Sequence, residues 1–409
     1  MKRIAVIGGG PAGMIAAATA ALNGCTTILF DKNEKLGKKL FLTGKGRCNI
    51  TNSAEIEDYF KAIHKNSKFL YSALYSFTNN DIIKIIEQNG IPVKEERGGR
   101  IFPVSDKSSD VIKALTRNME QSGARYELNR RVVDVEKEFN SFIVKFEDKK
   151  YDKFDAVILC TGGMSYSSTG SNGDGYSFAE KLGHSVITPR PSLIPLVTKE
   201  EWPRELMGLS LKNVVLTAYK GKKKLYSDIG EMLFTHFGVS GPLVLTLSEV
   251  IADYPHGIEL FIDMKPALTV EQLDKRIQND FIKHTRKQLR NALVDLLPSR
   301  MIDIVIGICG LDATKTVDNI TREERESLVR ILKGIPLTVE KTRPIDEAII
   351  TRGGISVKEI NPSTMESKIV AGLYFAGEII DVDAQTGGYN LQIAYSTGYL
   401  AGLSASQIK

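Results

Sequence analysis

The chain has few of the residues that build disulfide frameworks or metal sites. Its 409 residues include only four cysteines and five histidines. The cysteines (Cys25, Cys48, Cys160 and Cys309) are scattered, with no Cys-x-x-Cys pair and no metal-ligand spacing. This pattern predicts a protein with no disulfide and no bound metal, in a reducing compartment. We therefore expect a cytoplasmic protein.

Long hydrophobic runs and strong net charge are also scarce. Residues 4–30 are uncharged up to Phe30 and follow two basic residues, as in a signal peptide or a membrane span. Three consecutive glycines, a proline and Asn23-Gly24 interrupt this run, and no other segment approaches about 18 uncharged apolar residues. We expect no membrane segment. The net charge of +5 permits a nucleic-acid partner without requiring one.

The most specific motif lies at the start of the chain. An apolar strand at residues 3–7 leads into Gly8-x-Gly10-x-x-Gly13. Gly8 permits a tight turn, Gly10 lets a diphosphate approach the backbone, and Gly13 lets the following helix pack closely on the strand. The spacing therefore predicts the first turn of a dinucleotide-binding βαβ unit.

The residues after this turn support the same prediction. Pro11 and Ala12 open a helix of small residues, whose N-terminus offers free N–H groups and a positive dipole end to a diphosphate. A second strand at 26–30 then ends at Asp31, where a carboxylate can accept hydrogen bonds from the ribose hydroxyls. Strand, helix, strand and terminal acid together predict dinucleotide binding.

Three further glycine turns favour FAD over NAD. The first follows an apolar strand at 155–160, the second ends a strand near residue 375, and the third opens the last helix, at about 390–404. An N-terminus at the flavin would stabilise the negative charge that develops on reduction. No second Gly-x-Gly-x-x-Gly follows a strand, so NADH or NADPH is expected to visit the flavin only transiently. The predicted cofactor residues in these turns are Thr161, Gly162, Gly377, Glu378, Gly388, Asn390 and Leu391.

Composition and periodicity divide the chain into four segments. Residues 1–188 are predicted to be the first part of an α/β FAD-binding domain, and residues 351–409 its C-terminal part. A proline cluster at 189–195 marks a boundary, after which the strand-rich segments 189–268 and 334–350 suit an antiparallel β-barrel. Residues 269–333 have helical periodicity and form a predicted helical insert. Residues 32–53 are predicted to be a long loop, and 270–296 a single helix.

Several long motifs, in this order, resemble the signature of one bacterial flavoprotein family, usually labelled NAD(P)/FAD-dependent or aminoacetone-oxidase-type oxidoreductases. They are GGGPAG at 8–13, KLGKKLFLTGKGRCNITN at 35–52, GRIFP at 99–103, LFTHFGVSGP at 233–242, GEIIDVD at 377–383 and GGYNLQ at 387–392. The resemblance covers essentially the whole chain. It implies a glutathione-reductase-like FAD domain interrupted by a β-barrel domain that carries a small helical insert.

The resemblance does not imply a single substrate. Family members have been linked to the reduction of uridine to dihydrouridine in 23S rRNA, to the reduction of the conjugated C=C of oxidised bile acids, and to the oxidation of aminoacetone. The resemblance also implies that the glycine-lysine loop wraps around the flavin, although a solvated basic loop is the alternative. Further cofactor contacts are expected at Lys32, Lys39, Gly46, Arg47 and Val133.

The two reductions require the same chemistry from the protein. Hydride reaches the β-carbon of a C=C conjugated to a carbonyl, an acid protonates the α-carbon, and donors stabilise the developing enolate. Cys48 is the first candidate for the acid, because an unperturbed thiol with a pKa of about 8.5 is protonated at neutral pH. His236 could polarise the carbonyl or donate a proton, and Arg100 could bind an anion or the enolate. A small loop residue, a hydrogen-bonded turn histidine and a solvated turn arginine are the respective alternatives.

The substrate hypotheses come from different classes. Uridine in free 23S rRNA is the preferred one, a small-molecule enone is second, and an amine is third. A non-enzymatic binding protein that FAD stabilises is a fourth reading. The RNA hypothesis depends on two basic patches, for which ordinary solvated charge is the alternative. They are residues 220–224 and a predicted helix face of Lys283, Arg286, Lys287 and Arg290.

Overall fold

The computed structural model describes residues 1–252 and 256–407 and divides the chain into two units. The first unit is Met1–Ser192 with Ile345–Lys409, and the second is Leu193–Pro344. The sequence predicted that new segments begin at residues 189 and 351. In the structure, the boundaries between the units lie after Ser192 and after Pro344. Strands Val186–Ser192 and Ile350–Ile355 pair with each other as a two-stranded antiparallel sheet, so both belong to the first unit.

The strands of the described residues follow in chain order. They are β1 (Arg3–Ile7), β2 (Thr26–Phe30), β3 (Thr51–Asn52), β4 (Val93–Glu96), β5 (Arg100–Pro103), β6 (Arg125–Glu127), β7 (Val132–Glu138), β8 (Ser141–Phe146), β9 (Tyr151–Phe154), β10 (Ala156–Leu159), β11 (Val186–Ser192), β12 (Leu196–Thr198), β13 (Ser210–Lys220), β14 (Lys223–Thr235), β15 (Gly238–Ser240), β16 (Ile258–Asp263), β17 (Ile335–Thr342), β18 (Ile350–Ile355) and β19 (Leu373–Phe375).

The α-helices follow in the same way. They are α1 (Pro11–Leu22), α2 (Lys38–Leu42), α3 (Ile56–Ala62), α4 (Tyr71–Ser76), α5 (Asn79–Gln88), α6 (Ser108–Gln121), α7 (Asp174–Lys181), α8 (Trp202–Glu205), α9 (Pro242–Val250), α10 (Val270–Lys283), α11 (Leu289–Ala292), α12 (Ser299–Cys309), α13 (Arg322–Lys333) and α14 (Tyr389–Gln407).

The first unit is built on a five-stranded parallel sheet in the order β19-β10-β1-β2-β6. Strands β10 and β19 are apolar and buried along their length, and β1 is so from Ile4 to Ile7, as in sheets covered on both faces. Ile7, the last residue of β1, lies opposite Phe30 of β2 and Leu159 of β10. The strands therefore end level with one another, and their following turns share one edge.

Two helices of small residues pack closely beside this sheet. A Cβ atom on Gly398 of α14 would overlap the carbonyl oxygen of Ala12 in α1, and one on Gly402 would overlap that of Ala16. Each contact advances by four residues in both helices, so α1 and α14 run parallel. The absence of side chains at these glycines permits the close approach.

The segment 32–53, predicted to be a loop, contains regular structure. Leu36 and Leu40 are buried, and Leu40 anchors the short helix α2 in the core of the first unit. Thr51 and Asn52 form β3, which pairs with β5 in a three-stranded antiparallel sheet with β4. Strands β7, β8 and β9 form a second antiparallel sheet. The loop prediction was wrong at Thr51 and Asn52 because the pairing of β3 with β5 joins residues about fifty positions apart.

The second unit contains a closed six-stranded barrel in the order β12-β15-β14-β13-β16-β17. Alternate side chains of its strands point inward and are buried, for example Leu216, Phe234, Leu260 and Leu337. Strand β14 pairs with β13 along most of its length. A 3-10 turn, Ile345–Glu347, precedes β18.

The helical segment also differs from the prediction. The single helix expected at 270–296 ends at Lys283, and the short helix α11 begins at Leu289. Arg286 has a φ of 65°, a left-handed conformation that cannot continue an α-helix. The basic residues between 283 and 290 therefore do not form one helical face.

Candidate cofactor and substrate site

Four turns meet at the carboxyl edge of the parallel sheet. They follow β1, β2, β10 and β19, and the strands that lead into them are neighbours in the sheet. The chain leaves β1 toward β2 on one side, whereas it leaves the neighbouring strand β10 toward β19 on the other side. In open parallel sheets this arrangement creates the crevice in which nucleotides bind.

The glycines of the first turn differ in what surrounds them. Gly8 has a φ of 111°, and a Cβ there would overlap the carbonyl oxygen of Cys160 after β10. A Cβ on Gly13 would overlap the carbonyl oxygen of Gly8. At Gly10, by contrast, no atom lies within 4 Å of the position that a Cβ would take. Gly8 and Gly13 are required by packing, whereas Gly10 borders an open recess.

The recess is bounded by the N-terminus of α1. Gly10 is the N-cap residue, Pro11 follows it, and no side chain caps the helix. The N–H groups of Ala12 and Gly13 have no partner within the helix, because the first turn of any helix leaves its donors unpaired. Together with the helix dipole they form a site for a diphosphate. The hydroxyl of Thr161, buried in the turn after β10, also has no partner among the described residues.

Asp31 is held in place by backbone donors. Its carboxylate accepts a hydrogen bond from the N–H of Gly9 (N to Oδ2, 2.6 Å) and another from the N–H of Asn33 (N to Oδ1, 2.8 Å). The side chain is half-buried at the end of β2. A carboxylate has further lone pairs beyond these two contacts, so a ribose hydroxyl can still donate to Asp31.

Several basic residues expected near the cofactor are paired with protein groups. The Lys32 ammonium donates to Asn172 (2.6 Å) and Asp174 (2.8 Å). The Arg47 guanidinium lies 4.2 Å from the ring centre of Phe102 and bonds to Glu96 and Asp106. Arg47 therefore connects its loop to the β4-β5 hairpin.

Lys39 and Glu378 contact each other. The Lys39 ammonium donates to Glu378 (Nζ to Oε2, 2.5 Å) and to the Ser165 hydroxyl (2.7 Å). Of the remaining predicted contacts, Gly46 is half-buried with a φ of 85°, and Val133 is an exposed residue of β7. Gly162, in the turn after β10, has a φ of 74°.

The N-terminus of α14 forms a second positive helix end. A Cβ on Gly388 would overlap the backbone of Thr51, so only glycine permits this contact with β3. The Asn390 amide accepts from the Ala384 N–H (2.9 Å) and donates to its carbonyl (2.7 Å), and Leu391 is half-buried. Gly377, after β19, lies against Ala12 of α1.

The two helix ends are staggered. Nine residues of α14 precede Gly398, whereas one residue of α1 precedes its neighbour Ala12. At about 1.5 Å per residue, α14 begins about 12 Å beyond α1 in the same direction. The site therefore presents two positive ends in line, one for a diphosphate and one for an electron-rich group beyond it.

Cys48 lies inside the protein. Its φ is 60°, its side chain has no exposed surface, and burial raises the pKa of the thiol to about 12 against the lowering effect of a hydrogen bond with Thr43. A recess that holds a cofactor would count as exposed surface in this structure. A thiol without any exposed surface therefore does not line such a recess, which argues against the expected proton-donor role.

The other two catalytic candidates belong to different units. Arg100 is half-buried on β5 in the first unit and donates to the carbonyl of Arg97 (3.0 Å). His236 is exposed in the turn between β14 and β15 of the second unit, with its ring 4.9 Å from that of Phe237. Both side chains have solvent-accessible surface, unlike Cys48.

Sequence reasoning missed a buried acid pair after β19. Asp381 accepts from the Lys65 ammonium (2.8 Å), and Asp383 accepts from the Ser192 hydroxyl (3.2 Å). Burial raises the pKa of the Asp383 carboxyl, against the lowering effects of Arg352 and His64. The signal was present as two acids in an otherwise apolar run at 379–384. Only the fold shows that both are buried.

The described residues contain neither a metal-binding group nor a membrane-spanning helix. No group of three or more His, Cys, Asp or Glu side chains there is arranged to hold a metal ion. In the same residues, no helix is both long and apolar enough to cross a membrane.

The fold and this site define an FAD-dependent oxidoreductase of the Rossmann type, as the sequence predicted. The chain belongs to the family described as "HI0933-like protein Rossmann domain", whose model matches residues 2–404. The predicted α/β architecture with an antiparallel barrel is confirmed.

Two curated relatives cover nearly the whole chain. The "Ribosomal RNA dihydrouridine synthase" of Haemophilus influenzae is 33% identical over 409 residues, 98% of each chain. The "3-dehydro-bile acid delta(4,6)-reductase" of Clostridium scindens is 30% identical over 412 residues, 100% of each chain. Among solved structures, 3-ketosteroid delta1-dehydrogenase from Sterolibacterium denitrificans in complex with 1,4-androstadiene-3,17-dione aligns with a TM-score of 0.52 at 13% identity, over 99% of this chain and 100% of the other. This last likeness concerns the fold.

Proposed function

We propose that this protein binds FAD and reduces a C=C bond conjugated to a carbonyl, with NADH or NADPH as the transient electron source. The observation that carries the proposal is the pair of staggered helix N-termini at one sheet edge, with an open recess at Gly10. When bound, FAD supplies the hydride chemistry that no amino-acid side chain provides.

The chain's own residues bind and orient the cofactor. The α1 N-terminus and the Ala12 and Gly13 N–H groups hold the diphosphate, and Asp31 accepts from the ribose. The α14 N-terminus stabilises negative charge at the far end of the site by about 0.3–2 kcal/mol. Gly388 and Asn390 fix that helix end against β3 and the Ala384 backbone.

The donor to the developing enolate is assigned to an accessible residue of the first unit. Arg100, half-buried on β5, is the proposed donor to an enolate oxygen. We propose a packing role for Cys48, because its thiol has no exposed surface. Removal of the Arg100 guanidinium should therefore lower turnover without changing the amount of bound FAD.

For the substrate we propose uridine in free 23S rRNA. The support is the 33% identity to an enzyme named for rRNA dihydrouridine synthesis, together with exposed lysines 222, 223 and 224 at the tip of the β13-β14 hairpin. A flat base must leave its stack before it can react on a bound flavin ring. Free rRNA should therefore be a better substrate than the assembled ribosome. An rRNA substrate also requires a cytoplasmic location.

A small-molecule enone is the second candidate. It is supported by the 30% identity, over the full chain, to a bile-acid reductase. Both substrates contain a C=C conjugated to a carbonyl, so the same site chemistry serves either. The two substrates differ in how their binding should depend on the exposed lysines and on salt, because only RNA binding releases counterions as phosphates are neutralised.

The first experiment tests the cofactor. The purified protein should be yellow, with a flavin spectrum that bleaches on addition of NADH or NADPH. A colourless protein that remains colourless after incubation with excess FAD would overturn the proposal.

Nucleoside analysis of 23S rRNA from a strain lacking the protein should show loss of one dihydrouridine.

The second experiment separates RNA from small molecules. Replacing Lys222, Lys223 and Lys224 with Gln should weaken binding to 23S rRNA fragments and flatten its salt dependence, with flavin spectra unchanged. The matched control replaces Lys149, Lys150 and Lys153, three exposed lysines of the β8-β9 hairpin, and should leave binding unchanged. Salt-insensitive or absent RNA binding, with turnover of a steroid enone, would favour the second candidate. Turnover of an amine alone, or of none of these compounds, would reject both.

A further inference from the structure

A polar cluster ties four segments of the first unit together at the carboxyl edge of the parallel sheet. Its centre is Glu378, after β19. Carboxylate oxygen Oε1 accepts from the Thr351 N–H (2.7 Å) and the Ser165 hydroxyl (3.1 Å), and Oε2 accepts from Lys39 (2.5 Å). Thr351 belongs to β18, Ser165 to the loop after β10, and Lys39 to α2. Both oxygens of Glu378 are therefore engaged by the protein itself.

The Thr351 hydroxyl is a second acceptor in this cluster. This oxygen accepts from the N–H groups of Met164 (2.7 Å) and Ser165 (3.0 Å). A Cβ on Gly163 would overlap the same hydroxyl and lie 3.0 Å from Glu378 Oε1. Gly163 is thus a close-approach position for Glu378, and the carboxylate is fixed from several sides.

Lys39 is left with a free donor. An ammonium has three N–H bonds, and two of them point at Glu378 and Ser165. The side chain is 20% exposed, so the third N–H is available to a ligand. The segment that carries Lys39 is joined to the fingerprint turn, because the N–H of Gly37, two residues earlier, donates to the carbonyl of Gly9 (2.9 Å).

We propose that Glu378 is a positioning residue, which with Ser165 holds the Lys39 ammonium at the fingerprint turn so that it meets the diphosphate of the bound dinucleotide. This inference deepens the proposed function and rests on it. In this arrangement Glu378 acts on the cofactor through Lys39, and its carboxylate is held by three protein donors. A positive charge held by an acid in this way is fixed before the cofactor arrives.

The test uses two probes that differ at the flavin end. ADP carries the adenosine and the diphosphate only, whereas FAD carries the ribityl chain and the ring as well. The affinities of the flavin-free protein for FAD and for ADP are measured by calorimetry for wild type, Lys39→Met, Glu378→Gln and the double variant. Loss of a charged hydrogen bond predicts about ten- to hundredfold weaker binding of both probes to Lys39→Met.

The double variant identifies the positioning role. Glu378→Gln should weaken both probes less than Lys39→Met does, and should cause no further loss when Lys39 is already absent. If Glu378→Gln weakens FAD alone, and does so fully in the Lys39→Met background, Glu378 is a ribityl ligand and the inference is wrong. Equal affinities of wild type and Lys39→Met would also overturn it.

Controls separate this result from misfolding and from failure of the proposed cofactor. Lys38 is the matched control, because it is the neighbour of Lys39 in α2 and pairs at the surface with Glu34 (2.9 Å). Lys38→Met should bind both probes as wild type does. Lys39→Arg should keep most of the affinity, and the thermal midpoint of each flavin-free variant reports its fold. If wild type binds neither probe, the proposed function itself fails together with the inference.

Discussion

The two units of this protein use their buried space differently. The first unit buries polar side chains at the ends of its parallel strands and beside them, among them Thr51, Asp381, Asp383 and Gln392. The barrel of the second unit fills its interior with apolar side chains from alternate strand positions. Parallel strands place all their outgoing turns at one edge, whereas a closed antiparallel barrel pairs its strands all round. The chemistry therefore concentrates in the first unit.

The polar network at β3 shows how the first unit uses this space. The Thr51 hydroxyl donates to the Gln392 amide (2.8 Å), and that amide donates to the Phe77 carbonyl (3.0 Å) and the Ser396 hydroxyl (3.0 Å). Every step is buried. The network fixes the start of α14, which is the second positive helix end of the site. Buried polar groups in this unit thus hold the site in shape.

The largest expected effect compares the same change in the two units. Gly13→Ala places a methyl group on the Gly8 carbonyl and should abolish FAD retention, with a loss of about 1–3 kcal/mol of stability. Gly307→Ala, in α12 of the second unit, meets no atom within 4 Å and should stabilise the protein by about 0.5–1 kcal/mol. Flavin content after gel filtration and chemical unfolding measure both. Effects of the same sign would contradict the comparison.

A smaller effect is expected at Asp31. Asp31→Ala removes the proposed ribose acceptor and should weaken FAD binding by about 1–3 kcal/mol, since a charged hydrogen bond is lost. Asp303→Ala, an exposed change in α12, serves as the control and should leave flavin occupancy unchanged. Full occupancy of Asp31→Ala on dilution would remove Asp31 from the cofactor site.

Two thiols, one in each unit, sharpen the contrast between packing and chemistry. Cys48→Ala should cost about 1 kcal/mol through a small cavity, and turnover per bound FAD should remain at the wild-type level. Cys309→Ala, at a half-buried position of the second unit, should cost less. Loss of turnover in Cys48→Ala, with flavin and fold retained, would restore the thiol as the proton donor.

The smallest effect concerns pH. His184 is buried in the first unit, bonds to Ser367 (2.8 Å), and has its pKa lowered from 6.5 by burial against the raising effect of Glu359. The folded protein favours the neutral imidazole of His184. The contribution of this residue to stability is therefore present above pH 6.5 and is lost as pH falls through the lowered pKa. Thermal midpoints should fall by a few degrees in this range. His184→Gln should reduce that slope, and His256→Gln, an exposed change in the second unit, should not.

The sequence by itself determined the features that short stretches encode. The spacing of Gly8, Gly10 and Gly13 between two apolar strands predicted the βαβ unit and the phosphate turn, because each glycine answers a steric need inside about ten residues. The strand-rich segments at 189–268 and 334–350 likewise predicted the barrel, since strand character is a local property of the sequence. The family resemblance and the α/β architecture followed from these motifs.

The sequence could not determine contacts between distant residues, and these decided the site. Lys39 and Glu378 were both expected at the cofactor, yet they lie 339 positions apart and bond to each other. Arg47 bonds to Glu96 and Asp106, and Asp383 accepts a hydrogen bond from Ser192. The burial of Cys48 in the core of the first unit belongs to the same class. An ion pair or a buried thiol depends on which loops meet at a sheet edge, and that meeting is set by strand order and register, which no local pattern carries.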